Sequence, residues 1–298
     1  MRNTILVAGA TGNLGYRICM ALINKGANVK ALLREDSDPD KSEKITAAGI
    51  TVVRVDYNDI AQIAAACIDV DCVVSALAGL SDVIVDIQKL LLDAALEAGV
   101  SRFIPSDFCT DYNLLVPGEN RNFDLRREFK AYVDSTPIKV SSVFNGAFAD
   151  ILKYNTPILD LKNRTIAYWG KKADWKLDFT TMDNTAAFTA EVAMDKDAPR
   201  DLHIASFQIS PKMLSSEIKS TTGQVFETHE ISSMEEFAKV IQKQRSENPA
   251  GEHELYAKWQ QAQYLYSMYA AQRPNLDNSR YPDLKWTTAS SYLETFIR

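Results

Sequence analysis

The sequence predicts a doubly wound parallel α/β sheet with a smaller C-terminal α/β lobe, and three observations carry that prediction. The first 150 or so residues alternate short apolar runs with helical patterns. The apolar runs are nearly continuous, as in strands buried on both faces, rather than alternating apolar with polar. A glycine-rich turn, VAGATGNLGY (7–16), joins the first apolar run to the first helical pattern.

The elements follow in order. TILVA (4–8) reads as the first strand. The next segment places Ile18, Ala21 and Leu22 on one helical face and stops at Gly26, a helix-ending glycine. Strands NVKALL (28–33) and ITVVRVD (50–56) come next, then a short helix around 58–67 and the strand DCVVSAL (71–77). A longer amphipathic helix carries Val83, Ile87, Leu90, Leu91 and Ala94 and ends at Gly99. RFIPS (102–106), a helix over 122–134 and IKVSSVF (138–144) complete the series. Residues 1–148 are therefore expected to form a nucleotide-binding domain with right-handed crossovers. Beyond it the rhythm breaks into short strand-like pieces (RTIAYW, LHIASF) and helices after Asp183, near 212–222 and over 252–272. The stretch 234–248 reads as a solvated helix face, and Asp183 as the cap of the helix after it. Residues 149–298 are expected to be a smaller substrate-binding lobe with segments returning to the core.

Composition excludes several classes. The chain has 298 residues, 46% of them hydrophobic, and a formal net charge of −6, which provides no basic face for nucleic acid. No apolar run approaches the ~18 residues of a membrane span, so no membrane partner is expected. The N-terminus runs directly into a strand without the apolar core of a signal peptide. Cys19, Cys67, Cys72 and Cys109 lack metal-ligand spacing, and Cys19 and Cys67 sit in apolar helical patterns. The expectation is a reduced cytoplasmic protein with no metal, monomeric or homodimeric. His203, His229 and His253 are scattered and are assigned no chemistry.

The glycine turn sits where a dinucleotide-binding turn belongs, at the first strand-to-helix junction of a parallel sheet. Gly9 permits the tight turn, Gly12 the approach of backbone amides to a pyrophosphate, and Gly15 close packing of helix on sheet. Helix-start amides and the helix dipole favour the anionic phosphates. The second strand then ends Leu33-Arg34-Glu35-Asp36. An arginine at that tip offers a planar fork for a 2′-phosphate, so the expected cofactor is NADPH, with Lys41 and Lys44 downstream adding positive charge.

GATGNLG, Arg34, SALAG (75–79), RFIPSDF (102–108) and YPDLKWTTASSYLETFI (281–297) together resemble the isoflavone reductase-like family. That family of atypical short-chain dehydrogenases includes phenylcoumaran benzylic ether and pinoresinol–lariciresinol reductases and NmrA-like regulators. The resemblance covers 1–150 and the C-terminus and is patchy between 150 and 250. It implies an NADPH-binding Rossmann domain and a substrate lobe that takes a small aromatic, enone or quinone-like compound. By position, Gly9, Thr11, Gly12, Asn13, Leu14 and Gly15 match the phosphate loop and Arg34 the 2′-phosphate arginine. Ser75, Ala76 and Leu77 match the loop under the nicotinamide-side ribose. Ser106, Asp107 and Phe108 match a Pro-Ser-Glu-Phe motif, with Asp for Glu, and Cys109 stands where the family usually has Gly.

Short-chain dehydrogenases ordinarily use Tyr-x-x-x-Lys, in which the lysine tunes the tyrosine for proton transfer. The match at Tyr168 and Lys172 lies in a turn-like stretch beyond the sheet and is rejected. The resembling family uses instead one lysine on the helix before the sixth strand. Lys130, in RNFDLRREFKAYV, is the single lysine between Lys89 and Lys139 and is the expected catalytic residue. The segment is a residue or two shorter than the family pattern, so a gap placed after the helix aligns Arg126 or Arg127 there instead. Arginine stays protonated near neutrality, which points to solvent-derived protons or to a non-catalytic NADP(H)-sensing regulator. Phe108, Phe144, Phe148, Tyr154 and Trp169 are the expected aromatic lining of the substrate pocket, with Trp175 a further candidate and Asn145 beside the cofactor.

Overall fold

The computed structural model describes residues 3–273 and 275–297. Two compact units divide the chain. One comprises residues up to Phe108 with Phe123–Phe144 and Thr185–Leu202; the other comprises Cys109–Asn122, Asn145–Asn184 and the chain from His203 onward.

The first unit is built on six parallel strands: β1 (Thr4–Ala8), β2 (Asn28–Arg34), β3 (Thr51–Val55), β4 (Cys72–Ser75), β5 (Arg102–Ile104) and β6 (Lys139–Val140). Their order is β3-β2-β1-β4-β5-β6. Ile5 of β1 registers with Val29 on one side and Cys72 on the other. The winding direction therefore reverses between β1 and β4, and the crevice of such a sheet opens beyond the carboxyl ends of those two strands. Helices α1 (Asn13–Asn24), α2 (Pro39–Ala47), α3 (Ile60–Ala66), α4 (Gln88–Glu97) and α5 (Arg121–Val133) make the crossovers. A π-helical stretch, Asp82–Ile87, leads into α4. Leu6, Val73, Leu91, Phe103 and Phe129 are fully or almost fully buried between sheet and helices.

IKVSSVF does not form one strand. Its first part is β6, while β7 (Ser142–Phe144) leaves the main sheet to pair with β11 (Asp201–His203), and the Ser142 amide donates to the Arg200 carbonyl at 2.7 Å. A segment from the second half of the chain thus completes this unit. Most of α6 (Met182–Met194) belongs to it, and the buried Arg102 guanidinium donates to the carbonyls of Val192 and Ala193 at the helix C-terminus. A cation satisfies the orphan carbonyls and the dipole there. Asp183 is not the cap of α6. Thr181 is, its hydroxyl accepting from the Asn184 amide at 3.1 Å, because the helix begins at Met182 and leaves Asp183 inside its first turn.

All four cysteines are buried, and none of them is in a disulfide. Burial pushes the thiols of Cys19 and Cys72 up to about 12 and that of Cys67 to about 11, so none of these three is a nucleophile.

The second unit has a three-stranded sheet of β12 (Phe207–Ile209), β10 (Leu177–Thr180) and β8 (Ala147–Phe148), and a parallel pair of β9 (Thr165–Tyr168) with β13 (Glu227–Glu230). Helices α7 (Pro211–Thr222), α8 (Met234–Glu247), α9 (Lys258–Ala270) and α10 (Ala289–Leu293) pack on them. The helix expected over 252–272 is shorter at its start. The Arg121 guanidinium takes the carbonyls of Gly251, Glu252 and Glu254, which a continuous helix would need for its own hydrogen bonds. Asn120, Arg121 and Asn122 meanwhile bond to Ser267, Gln263 and Tyr264 of α9. Among the described residues, no helix is long and apolar enough to cross a membrane.

One ionic cluster in this unit was not legible in the spacing. Asp111, 4% exposed, accepts from His203 Nε2 at 2.9 Å and from two Arg273 nitrogens at 2.7 and 3.1 Å. Burial alone would raise its carboxyl, but the bonds from His203, Arg273 and the Asn113 amide outweigh it and hold the group at about 2. Because the folded value lies below the unfolded one, the carboxylate stabilises the fold above pH ~4, and that contribution is lost as pH falls towards ~2. Asp111→Asn is expected to destabilise the protein by about 3 kcal/mol in urea unfolding at pH 7, with the difference shrinking steeply below pH ~3.

Candidate functional site

The glycine turn follows β1 directly, beside the β4 tip. Gly9 has φ +84°, and a Cβ there would lie 2.6 Å from the Ala76 carbonyl oxygen. A Cβ on Gly15 would lie 2.7 Å from the Gly9 carbonyl carbon, so α1 packs onto the turn with no room for a side chain. The Gly12 amide donates to the Gly9 carbonyl at 3.0 Å and closes the turn, and Gly12 then caps α1 with no side-chain hydrogen bond. Thr11 and Leu14 are half-buried, while Gly12 and Asn13 are exposed. The Asn13 carboxamide accepts from Arg17 Nε at 2.9 Å.

Arg34 is the last residue of β2, and its side chain is 71% exposed, with Nε 3.6 Å from Asp36. So loose a pair in water leaves the guanidinium open to another anion. Lys41 is exposed on α2, and Lys44 Nζ sits 4.3 Å from the Tyr16 ring centroid.

Ser106, in the loop after β5, ties that loop to the loop after β4 and to the helices α4 and α5. Its amide donates to Gln88 Oε1 at 3.0 Å, its hydroxyl to the Leu77 carbonyl at 2.7 Å, and its carbonyl accepts from Arg126 Nε at 3.0 Å. Gln88 is buried on the face of α4 that carries Leu91 and Leu92, and its amide also donates to the Ile84 carbonyl at 2.6 Å. Ser75, Ser106 and Asp107 are buried, and Ala76 and Leu77 half-buried. The Ser75 hydroxyl has no hydrogen-bond partner among the described residues. Asp107 Oδ2 accepts from the Ser142 hydroxyl at 2.8 Å, which in turn accepts from Arg200 at 2.6 Å.

Lys130 and Arg126 lie one turn apart on α5, and they go different ways. As a crossover helix, α5 runs back from the carboxyl ends of the strands, so each later residue lies farther from the crevice. Arg126 reaches forward to Ser106, whereas Lys130 Nζ turns back to Asp134 Oδ2 at 2.5 Å. Asp134 also accepts from Arg200 at 3.1 Å; partial burial would raise its carboxyl, but the bonds from Lys130 and Arg200 outweigh it and hold the group below its ordinary range. Arg127 pairs with Asp124 at 2.5 Å.

Among the aromatic candidates in the first unit, Phe108 and Phe144 are buried. In the second unit, Phe148 is half-buried on β8, and Tyr154 is 70% exposed on a turn. Trp169 is core: it stacks on Phe237 at 4.6 Å and meets Tyr269 edge-on at 5.5 Å. Trp175 donates its indole N–H to the Met268 carbonyl. Asn145 is buried, its amide donating to the Cys109 carbonyl at 3.1 Å and its carbonyl accepting from Thr180 at 2.6 Å. Cys109 itself has no positive φ, so the freedom of a glycine is not used there. Tyr168 ends β9, and Lys172 follows in a turn where its amine meets the Tyr269 carbonyl and the Trp175 ring, so this tyrosine–lysine pair forms no helical dyad.

A six-stranded sheet in this order, with a glycine turn at its winding reversal, defines a Rossmann-type α/β protein. A sequence model of the NmrA-like family matches residues 1–293, and the chain belongs to that family. Among curated proteins it is similar to pinoresinol reductase 1 of Arabidopsis thaliana, 26% identical with 99% of this chain and 98% of that protein covered. Among solved structures it is similar to an isoflavone reductase, with TM-score 0.83, 22% identity, and 99% and 100% of the two chains covered. A quinone oxidoreductase from Escherichia coli, complexed with NADPH, superposes with TM-score 0.75 at 19% identity, covering 99% and 100%.

Proposed function

We propose that the protein is an NADPH-dependent reductase of a small aromatic, enone or quinone-like compound. The observation that carries this reading is the pairing of a glycine turn too tight for any side chain with an exposed, loosely paired Arg34 at the tip of the next strand. The backbone amides from Thr11 to Gly15 would hold the pyrophosphate, and Arg34 the 2′-phosphate. Ser75 to Leu77 would lie beneath the nicotinamide-side ribose. NADPH, when bound, supplies a hydride. The similarity to pinoresinol reductase 1 and to the NADPH-complexed quinone oxidoreductase supports both the cofactor and the class of acceptor.

The chain's own part is to bind, orient and stabilise charge. Through Ser106, Gln88 and Arg126 set the loop that carries Asp107 and Phe108. Of the three candidate cations on α5, Lys130 and Arg127 are paired with Asp134 and Asp124, and the geometry favours Arg126 for the oxygen that gains negative charge. A guanidinium stabilises that oxygen without giving up a proton, so the proton comes from water. In the first unit the aromatic candidates are Phe108 and Phe144; in the second they are Phe148 and Tyr154, while Trp169 serves packing.

The test is NADPH consumption with quinones, enones and benzylic ethers. Turnover with at least one class is expected. Tight, redox-selective NADP(H) binding with no turnover on any acceptor would favour instead a regulator that senses the cofactor, a reading motivated by the absence of a free lysine amine on α5.

A further inference from the structure

The turn after β2 poses an electrostatic problem. Arg34 is followed by Glu35, Asp36 and Asp38 on the turn and Asp40 at the start of α2, all exposed, so a phosphate brought to Arg34 approaches four carboxylates. Like charges so placed oppose binding.

Arg54 answers that problem through the backbone. It lies on β3 opposite Leu33, and its neighbour Val55 registers with Arg34. One guanidinium nitrogen sits 3.1 Å from the Glu35 carbonyl and 3.4 Å from those of Arg34 and Ser37. The other donates to the Ser42 hydroxyl at 2.8 Å. Ser42, buried in the first turn of α2, donates in turn to the Asp38 carbonyl at 3.0 Å, and Asp38 caps α2 by accepting from the Asp40 amide at 2.9 Å. One side chain therefore anchors both ends of the turn. With the carbonyls gathered on Arg54, the Asp36 side chain stands 80% exposed, in solvent, and the Arg34 side chain 71% exposed. The fork geometry is essential, because a single ammonium cannot bridge three carbonyls and a hydroxyl.

We infer that Arg54 is the positioning residue that lets this acid-rich turn accept a 2′-phosphate, and so sets the preference for NADPH over NADH. The inference rests on the proposed NADPH reading and adds the residue that shapes its specificity.

Calorimetric titration of NADPH and NADH into wild type, Arg54→Gln, Arg54→Lys, Arg34→Ala and the Arg34→Ala/Arg54→Gln double variant tests it. Arg54→Gln is expected to weaken NADPH roughly tenfold while leaving NADH within about twofold, which also reports an intact fold. Arg54→Lys should recover only a small part of that loss. The double variant should discriminate no worse than Arg34→Ala alone, since Arg54 acts through the turn that carries Arg34. Three results would overturn the inference: an unchanged NADPH-to-NADH ratio in Arg54→Gln, full recovery by Arg54→Lys, or losses that multiply in the double variant. A wild type that binds both cofactors alike overturns the NADPH reading and this inference with it, whereas a discriminating wild type beside a discriminating Arg54→Gln overturns this inference alone.

Discussion

Gly15→Ala is expected to weaken NADPH by about a hundredfold, or about 2.7 kcal/mol, and to destabilise the fold by roughly 1–3 kcal/mol. Helix propensity alone predicts the opposite sign, because alanine in a helix is better than glycine by about 1 kcal/mol. Contact decides the outcome. The new Cβ would meet the Gly9 carbonyl carbon at 2.7 Å and the Ala10 Cα at 3.1 Å, both backbone atoms of the turn itself. The turn must open, and its amides then lose their common focus. Gly26→Ala is the control. Gly26 has φ +80° with nothing within 4 Å of a Cβ, so it should cost about 1 kcal/mol of stability and leave NADPH affinity unchanged. Equal effects of the two substitutions on affinity would contradict the cradle.

The second large effect is expected on α5. Arg126→Ala should lower kcat about a hundredfold, while Lys130→Ala should stay within about threefold of wild type. Arg126 is bonded to the Ser106 carbonyl, at the end of the loop expected beside the nicotinamide. Lys130 is paired with Asp134 on a partly exposed helix face, where such a pair contributes under about 1 kcal/mol to stability. Arg126→Lys separates charge from fork geometry, and only partial rescue is expected because lysine cannot reproduce the Nε bond to Ser106. Steady-state kinetics with NADPH binding measured alongside would decide. Lys130→Ala with cofactor affinity intact and turnover abolished would return the catalytic role to the lysine.

The sheet was legible because its strands are buried on both faces and announce themselves as continuous apolar runs. The glycine turn was legible because each glycine is required by a close approach of backbone. Helix α2 was not, since only Ser42 and Ile45 of its nine residues are buried and no apolar stripe marks it. The split of IKVSSVF into β6 and β7 has a long-range cause, the pairing of Ser142 with Arg200, which local pattern cannot carry. Gln88 did leave a signal, a polar residue on the apolar face with Leu91 and Leu92, which is the pattern of a buried amide with a specific partner. Arg54 and the Asp111–His203–Arg273 cluster left none. Arg54 holds backbone carbonyls and the Ser42 hydroxyl 12 positions away, and Asp111 holds side chains 92 and 162 positions away, all brought close only by the fold.

What the glycine turn and Arg34 hold decides the function. Equilibrium titration of wild type and Arg34→Ala with NADPH and with NADH measures it most directly. Wild type is expected to bind NADPH at least about tenfold tighter than NADH, and Arg34→Ala to lose most of that preference with NADH affinity nearly unchanged. Equal affinity of wild type for the two cofactors, or an Arg34→Ala variant that weakens both alike, would contradict it.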